Sequence, residues 1–265
     1  MSERPGFPPR LAVIIGVIAV STASLIIRLS SSPALAIAAY RLVFATMLLL
    51  PAFALTAART GLRELVQGQL MTQVIAGLVL AVHFGTWITS VKLTSVASSV
   101  ILVNAAPVFV AVLSHFWLRE KVSPKGWAGT VIAFAGVIAI AMSDVGTGEE
   151  NLLGDTLALI GAVALALYLL TGRRLRQRLS LFLYVVPVYA VAALVLILVC
   201  VGTGVPLHGY SIHELLLFLL LAVVPMILGH TVYNWALKYV QAPTVSVSLL
   251  GEPLGAVLLA AAFLS

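Results

Sequence analysis

The amino-acid sequence predicts an all-α integral membrane protein built from two inverted repeats of five helices each. Three observations predict this class: a very apolar composition, a series of helix-length apolar stretches, and an internal similarity between the two halves. Hydrophobic residues make up 62% of the 265 residues and charged residues only 9%. A typical soluble domain has about 25% charged residues. So few charges cannot cover a molecular surface that faces water on every side.

Nine apolar stretches are long enough to cross a membrane as helices. A spanning helix needs about 20 mostly apolar residues. Strands of a membrane barrel would be about 10 residues long with strict alternation, which these stretches lack. The first stretch has no convincing cleavage site after it, so we interpret it as a retained helix and not a signal peptide. The predicted helices are Leu11–Ile27, Ala34–Leu55, Met71–Ser90, Val96–Leu118, Gly126–Met142, Leu153–Thr171, Leu181–Val201, Glu214–Leu237 and Thr244–Leu264.

The basic residues predict how the chain is oriented. With a cytoplasmic N-terminus and alternating helices, the cytoplasmic segments hold 12 of the 15 Lys and Arg residues. The external segments hold only Arg28 and Lys92, and Arg41 lies inside a helix. This is the positive-inside pattern of membrane proteins. The net charge of +6 is therefore interpreted as loop charge, and nucleic acid is not an expected partner.

A shift of 146 residues aligns the two halves of the chain. Lys92 then falls on Lys238, and Pro107 falls on Pro253. Aromatic residues are aligned as well, since Trp87 falls on Tyr233. Similar composition alone makes apolar helices look alike, but aligned lysines and prolines at one offset are harder to obtain by chance.

The offset places five helices in each repeat. Because five is odd, the second repeat must insert upside down relative to the first, as in many secondary transporters. The first repeat is predicted over residues 1–145 and the second over residues 146–265. The second half shows only four helices, so we expect nine transmembrane helices, with the tenth missing from this chain.

Four features then suggest a family. Tyr40-Arg41 lies early in the second helix, and Asn104-Ala-Ala-Pro107 lies in the middle of the fourth, which ends in Leu118-Arg-Glu-Lys121. Gly251-Glu252-Pro253 lies in the ninth helix, and the two-repeat organisation is the fourth feature. With these features the chain resembles the EamA-like branch of the drug/metabolite transporter superfamily.

The resemblance implies a ten-helix transporter of the bacterial inner (cytoplasmic) membrane that exports amino acids or related metabolites and needs no cofactor. Among the subfamilies, the chain looks most similar to exporters of aromatic and neutral amino acids. It departs from the family pattern by lacking the tenth helix. In such proteins the last helix of each repeat is largely scaffold, so we expect its absence to affect stability or oligomer contacts more than the cavity.

Two polar residues in the apolar stretches are the leading candidates for substrate binding or coupling. Glu252 lies near the middle of the ninth helix, and Asn104 lies at a similar depth in the fourth. Polar groups inside a bilayer are costly and mark functional sites. The alternatives are a structural carboxylate paired within the protein and an amide that bonds a neighbouring helix.

Four further residues are assigned structural or gating roles. Pro107 and Pro253 each remove a backbone hydrogen bond, which frees carbonyl groups to line a cavity or simply kinks the helix for packing. Arg41 is interpreted as an anchor that reaches the outer surface or pairs with a carboxylate, and a clamp for a substrate carboxylate is the alternative. Tyr40 is placed beside it, at the interface.

The remaining candidates are aromatic, histidine and amide side chains. Histidine titrates near neutral pH, so proton coupling is one interpretation of His83 and His230, and a hydrogen-bonded core histidine is another. Haem ligation is a third, but it is not expected because the pairing of two histidines on facing helices is not repeated. Aromatic walls with a few polar groups suit small organic substrates, whereas an interfacial aromatic belt is the structural alternative. The set of candidates comprises His83, Trp87, Tyr168, His230, Tyr233 and Asn234.

The pattern favours a secondary transporter that works by alternating access around a midplane cavity. The alternatives are an exporter of multiple drugs or cationic compounds, a membrane enzyme that transports nothing, and a channel. No GxSxG, HExxH or Walker sequence is present, so neither an enzyme nor an ATP-driven pump is expected. The expected partners are the lipid bilayer, a small-molecule substrate and, as a hypothesis, protons. No metal site is predicted, and the sequence leaves the oligomeric state open.

Overall fold

The computed structural model describes residues 5–61, 69–119, 123–143 and 148–263. Within these residues the chain forms nine helical segments and no strand. In chain order the segments are α1 (Pro9–Leu29), α2 (Ala34–Thr60), α3 (Leu70–Leu93), α4 (Val96–Leu118), α5 (Pro124–Ser143), α6 (Glu149–Arg176), α7 (Leu181–Thr203), α8 (Ile212–Ala236) and α9 (242–263).

Among the described residues, seven helices are long and apolar enough to cross a membrane, namely all of these except α5 and α9. The prediction of an all-helical membrane protein is confirmed, whereas the count of nine spans and their inverted arrangement stay predictions. Several helices are longer than the apolar stretches that predicted them. The helix α6, for example, begins at Glu149 and ends at Arg176. Acidic side chains in its first turn and basic ones in its last favour these extensions, because they complement the helix dipole.

The helices α4 and α9 are both interrupted near their middle. The helical pattern of α4 breaks at Asn104 and Ala105, and that of α9 narrows to a single 3₁₀ turn at Leu249–Gly251. Pro107 and Pro253 lie in the first turn of the helix that follows each break. Proline is tolerated there because its missing N–H would have no intrahelical partner.

The two interruptions lie side by side because α4 and α9 run antiparallel and pack along their lengths. The half of α4 before its break, Val96–Val103, contacts Glu252–Phe263, and the half after it, Ala106–Leu113, contacts Ala242–Ser248. Irregular backbone is tolerated in a membrane only where protein or a cavity covers it. The α4–α9 contact supplies that cover for both breaks.

Other helix pairs complete the bundle, and several approach closely at glycine. The helix α3 packs along α6, α7 packs against α2 and α3, and α1 packs against α8 and α9. A Cβ atom at Gly16 would lie 2.5 Å from the ring of Tyr233, and one at Gly161 would lie 3.3 Å from Cβ of Trp87. Small residues at these contacts let helix backbones approach one another.

The distribution of side chains is that of a membrane bundle. Large aliphatic side chains such as Ile18, Met47 and Leu198 are exposed on the outside of the helices. Polar side chains such as Arg41 and Asn234 are buried. Apolar groups on the outside match a hydrocarbon surrounding, and polar groups collected inside a membrane bundle indicate a functional site.

Gly77 offers a test of the α3–α7 contact. We expect Gly77→Ala to destabilise the protein by about 1–3 kcal/mol, as overpacking typically does, because the added Cβ would lie 2.9 Å from the backbone oxygen of Val188. Gly202→Ala is the matched control, since nothing lies within 4 Å of a Cβ there. Thermal unfolding in detergent measures both variants, and equal melting temperatures would contradict the packing described.

Candidate functional site

A small central cavity lies where the broken helices meet the rest of the bundle. Its volume is about 20 Å³, which is room for about one water molecule. Seven of the described helices contribute to its wall. The lining residues are Val20, Ala23, Arg41, His83, Trp87, Val103, Leu165, His230, Tyr233, Leu249 and Glu252. The structure thus brings six of the residues singled out in the sequence to one place.

Glu252 and Asn104 form the acidic side of this cavity. Glu252 begins the second half of α9, and its carboxylate is hydrogen-bonded by the side chain of Asn104 from the break in α4. Asn104 Nδ2 also donates to the carbonyl oxygen of Val100 at 2.8 Å. Among the described residues, Asn104 Oδ1 accepts no hydrogen bond. The break in each helix therefore delivers one polar side chain to the same point.

Arg41 forms the basic side of the cavity. Its side chain has no solvent exposure, so the expectation that it reaches the outer surface is wrong. The guanidinium carbon lies 4.2 Å from the ring centroid of Phe84, which is a cation–π contact. Arg41 also interacts electrostatically with Glu252, the carboxylate on the other side of the cavity. Arg41 lies on the inner side of α2, the helix that packs against α8.

The two histidines face each other between these charges. Their ring centroids are 6.0 Å apart, and His83 stacks on Trp87 with an angle of 6° between the rings. Nδ1 of His83 donates to the carbonyl oxygen of Gly161 at 2.9 Å, because a carbonyl can only accept. Among the described residues, Nδ1 of His230 has no partner. His83 is therefore fixed in orientation, whereas His230 keeps one ring nitrogen available.

Tyr168 and Asn234 lie behind the cavity and not in its wall. Asn234 Nδ2 donates to the hydroxyl oxygen of Tyr168 at 2.6 Å and to the carbonyl oxygen of His230 at 2.7 Å. The hydroxyl groups of Tyr189 and Thr231 lie 3.0 Å apart in the same layer. These contacts orient the part of α8 that carries His230. The sequence analysis named Tyr168 and Asn234 as candidates for substrate binding, and the structure places both in the layer behind the cavity wall.

Sequence reasoning missed the contribution of α7 to this layer. Tyr184 and Tyr189 are fully buried, although α7 was not predicted to face the cavity. Two tyrosines five residues apart in an otherwise apolar helix were the available signal, because a buried phenol usually finds a hydrogen-bond partner. Their position shows that polar groups fill the space between α6, α7 and α8.

A second polar cluster, which the sequence did not predict, joins α8 to the link between α1 and α2. The carboxylate of Glu214 accepts hydrogen bonds from the hydroxyl groups of Ser30, Ser31 and Ser32 and from the backbone N–H of Ser31. Lys92 donates to the carbonyl oxygen of Ser30. We call these residues the Glu214 cluster. The sequence shows the parts of the cluster, three consecutive serines and an acidic residue at a helix start, but not that they meet.

Tyr40 lies at the same end of the bundle as the Glu214 cluster and does not reach the central cavity. Its hydroxyl donates to the carbonyl oxygen of Leu207 at 2.6 Å. Its ring stacks on Phe218 at 5.0 Å and meets the edge of Tyr210 at 5.7 Å. Tyr40 therefore ties α2 to α8 and to the link that precedes it.

The opposite end of the bundle has a wider cleft. It lies between α4, α5 and α9 and has a volume of about 420 Å³. Lys125, Thr130 and Ser248 give it polar groups, and Pro107 lies on its α4 wall. At the same end, Arg173 donates to the carbonyl oxygen of Leu237 at 2.6 Å. At one end of the bundle the carboxylate of Glu214 joins α8 to the link between α1 and α2, while the other end has an open cleft.

Within the described ranges, no group of three or more His, Cys, Asp or Glu side chains has an arrangement that could hold a metal ion. The central cavity instead combines one acidic group, one basic group, two imidazoles and two large aromatic rings. Sets of this kind suit small organic molecules, because they combine charge, hydrogen-bonding groups and ring surfaces. A bundle of apolar spanning helices around a buried polar cavity is typical of multi-pass membrane transporters.

Comparison with known protein families agrees with that class. The EamA-like transporter family matches residues 9–142 and again residues 152–265. The chain belongs to this family, and the resemblance noted in the sequence is confirmed. The two matches show two EamA repeats along the chain.

Curated relatives are similar over shorter stretches. A protein of Archaeoglobus fulgidus named an uncharacterized transporter is 33% identical over 75 residues, which is 28% of this chain and 26% of that protein. The uncharacterized transporter YetK of Bacillus subtilis is 31% identical over 93 residues, which is 34% of this chain and 28% of that protein. The matched stretches therefore span about a quarter of the length of these relatives.

The fold is also found in a solved crystal structure. That structure superposes with a TM-score of 0.71 over 97% of this chain and 88% of the other, at 20% sequence identity. At this identity the similarity concerns the fold alone. It places the helices described above in an arrangement that a crystal structure also contains.

The Glu214 cluster gives a direct test of the contacts described. We expect Glu214→Ala to lower the melting temperature and to raise amide hydrogen exchange in residues 30–32, because four donors lose a charged acceptor. Hydrogen bonds to charged groups contribute about 1.5–3 kcal/mol each. His213→Ala is the control, because His213 is exposed one residue away. Exchange mass spectrometry measures both, and unchanged exchange in Glu214→Ala would contradict the cluster.

Proposed function

We propose that the protein is a secondary-active transporter that exports small metabolites by alternating access around the central cavity. The observation that carries this proposal is the meeting of Glu252 and Asn104 at the paired interruptions of α4 and α9. Discontinuous helices that present polar groups at mid-membrane form the substrate and ion sites of many transporters. A structural role alone does not explain why two helices break at the same depth beside a cavity.

The packing of the helices supports two inverted repeats over residues 1–145 and 146–265. Exchanging the two repeats pairs α1 with α6, α2 with α7, α3 with α8 and α4 with α9. The α1–α8 contact then corresponds to the α6–α3 contact, and the α2–α8 contact corresponds to the α7–α3 contact. All four contacts are present. The α4–α9 contact maps onto itself. Gly16 packs against Tyr233, and Gly161 packs against Trp87, the residue aligned with Tyr233. Each half therefore has a glycine packed against the corresponding aromatic residue of the other half. Two halves of this kind rock against each other around a fixed site.

The Glu214 cluster acts in this proposal as the external closure. It ties the start of α8 to the link between α1 and α2, so it joins the two repeats at one end. The cleft beside Lys125 lies at the other end. The described conformation is then closed to the outside, and its cavity of about 20 Å³ must widen to admit a metabolite. Release to the outside requires the hydrogen bonds of Glu214 to break.

The proposed substrates are amino acids, with aromatic and neutral ones first. Glu252 and Asn104 suit an ammonium group, while Trp87 and Tyr233 supply ring surfaces for a side chain. An exporter of cationic compounds is the second candidate, because a carboxylate beside aromatic rings also suits such cations. A metabolite screen that compares efflux from cells with and without the protein separates the two.

Protons are the proposed coupling ions. His83, His230 and Glu252 are titratable groups in the wall of one cavity, so proton binding there would change the charge that a substrate meets. The proposed location is the bacterial inner membrane, with the N-terminus in the cytoplasm. The excess of Lys and Arg in alternate links supports that orientation.

The transport site is tested by two substitutions. We expect Glu252→Gln and Asn104→Ala to reduce efflux of the substrate found by the screen by about tenfold or more, since each removes a polar contact of the kind that contributes about 1.5–3 kcal/mol when a charge takes part. Glu150→Gln is the control, because Glu150 is exposed at the start of α6. Normal expression with unchanged efflux in both variants would remove these residues from the site.

The orientation is tested by cysteine labelling. Cys200, the single cysteine of the sequence, is buried, so Cys200→Ser gives a background without thiols. In that background we expect a membrane-impermeant maleimide added to intact spheroplasts to label His208→Cys but not Ser123→Cys. Both positions are exposed, and they lie in links assigned to opposite sides. The reverse labelling pattern would show that the N-terminus is external.

A further inference from the structure

We propose that Arg41 binds the carboxylate group of the substrate, so that the central site accepts organic acids and zwitterions and rejects purely cationic compounds. This inference rests on the proposed transport function and deepens it, because it names the chemistry that a substrate must carry. It assigns to Arg41 a specificity-determining role in place of an anchoring one.

The first argument is that the hydrogen-bonding capacity of Arg41 is unused within the described part of the protein. The side chain has no solvent exposure, yet none of its three nitrogen atoms has a hydrogen-bond partner among the described residues. Buried charged groups are almost always paired and hydrogen-bonded, because leaving them bare is costly. A purely structural arginine at this depth would be expected to spend its five N–H donors on carbonyl or carboxylate oxygens.

The second argument is geometric. Phe84 contacts the face of the guanidinium group, with 4.2 Å between the guanidinium carbon and the ring centroid. A contact on the face leaves the N–H groups at the edge available, and that edge matches the two oxygens of a carboxylate. Arg41 also lines the central cavity, so a molecule bound there meets it directly.

The third argument is that the cavity offers complementary groups for a zwitterion. Glu252 is attracted to Arg41 across the cavity, but no hydrogen bond joins the two side chains in the described part of the chain. Trp87 Nε1 and the hydroxyl of Tyr233 are likewise buried without hydrogen-bond partners there. A zwitterion placed between the charges supplies oxygen acceptors for Arg41 and an ammonium group for Glu252.

A cation without an acidic group fits this cavity poorly. It would be attracted by Glu252, but it would also lie beside a buried guanidinium that stays without a partner. Like charges in a medium of low dielectric constant repel strongly. The same site therefore accepts an amino acid and disfavours the amine that results when the carboxyl group is removed.

A matched series of ligands tests the inference on the unmodified protein. The probes are phenylalanine, phenylalaninamide, 3-phenylpropionate and phenethylamine, which share one aromatic ring and differ in their charged groups. Binding is measured by ligand-dependent thermal stability and by titration in lipid nanodiscs. We expect the two carboxylates to bind at least about tenfold more tightly than the amide and the amine, since charge-assisted bidentate pairs are among the strongest hydrogen bonds.

Variants of Arg41 then test whether this side chain causes the preference for carboxylates. We expect Arg41→Gln to bring the acid and the amide to within about threefold of each other, and Arg41→Lys to give an intermediate preference because lysine lacks the bidentate edge. Arg59→Gln is the matched control, because Arg59 is exposed on the same helix and should keep the preference of the unmodified protein. If Arg41→Gln fails to fold, the ligand series on the unmodified protein still decides the question.

Three results would overturn the inference: equal binding of acid and amide, binding of no carboxylate in the series, or an Arg41→Gln variant that keeps the acid preference. Transport in proteoliposomes separates this failure from failure of the proposed function. A protein that moves phenethylamine but no acid is a transporter in which Arg41 does not select carboxylates. A protein that binds acids through Arg41 but moves none of the probes supports the binding role and contradicts transport.

Discussion

The interior of a bilayer supplies no hydrogen bonds, and this constraint shapes the rest of the structure. It keeps the described chain helical and confines the two helix breaks, at Asn104 and at Leu249–Gly251, to a place where α4 and α9 cover each other. The same constraint gathers polar side chains on the inside. Arg41 and Glu252 then lie near each other, because each reduces the cost of burying the opposite charge. The positions of the cavity, the buried charges and the helix breaks all follow from this one requirement.

Much of this architecture could be predicted from the sequence. Spanning helices appear in the sequence as apolar stretches because their side chains must match the hydrocarbon core of the bilayer over a fixed thickness. Most predicted helices agree with the described ones to within a few residues at each end. The central residues could also be predicted, because an intramembrane charge such as Glu252 or Arg41 needs a reason. Prolines aligned at one offset correctly pointed to the middle of α4 and α9, although the breaks themselves lie a few residues before Pro107 and Pro253.

The rest depended on contacts between residues far apart in the chain. Glu214 looked like an ordinary helix start, because nothing in the sequence shows that three serines near residue 31 reach it. Arg41 looked able to reach the surface, since its depth along α2 is readable but the direction of its side chain depends on the packing around it. Tyr189 on α7 was missed for the same reason. Sequence periodicity indicates that a residue is buried, but tertiary packing decides which partner it meets.

The narrowness of the central cavity has a consequence for the membrane as a whole. A space that holds about one water molecule cannot contain a continuous file of water. Protons and small ions cross membranes easily only where such a file exists. In the described conformation the central cavity therefore gives protons and small ions no continuous water path, so this conformation does not by itself dissipate an ion gradient across the membrane.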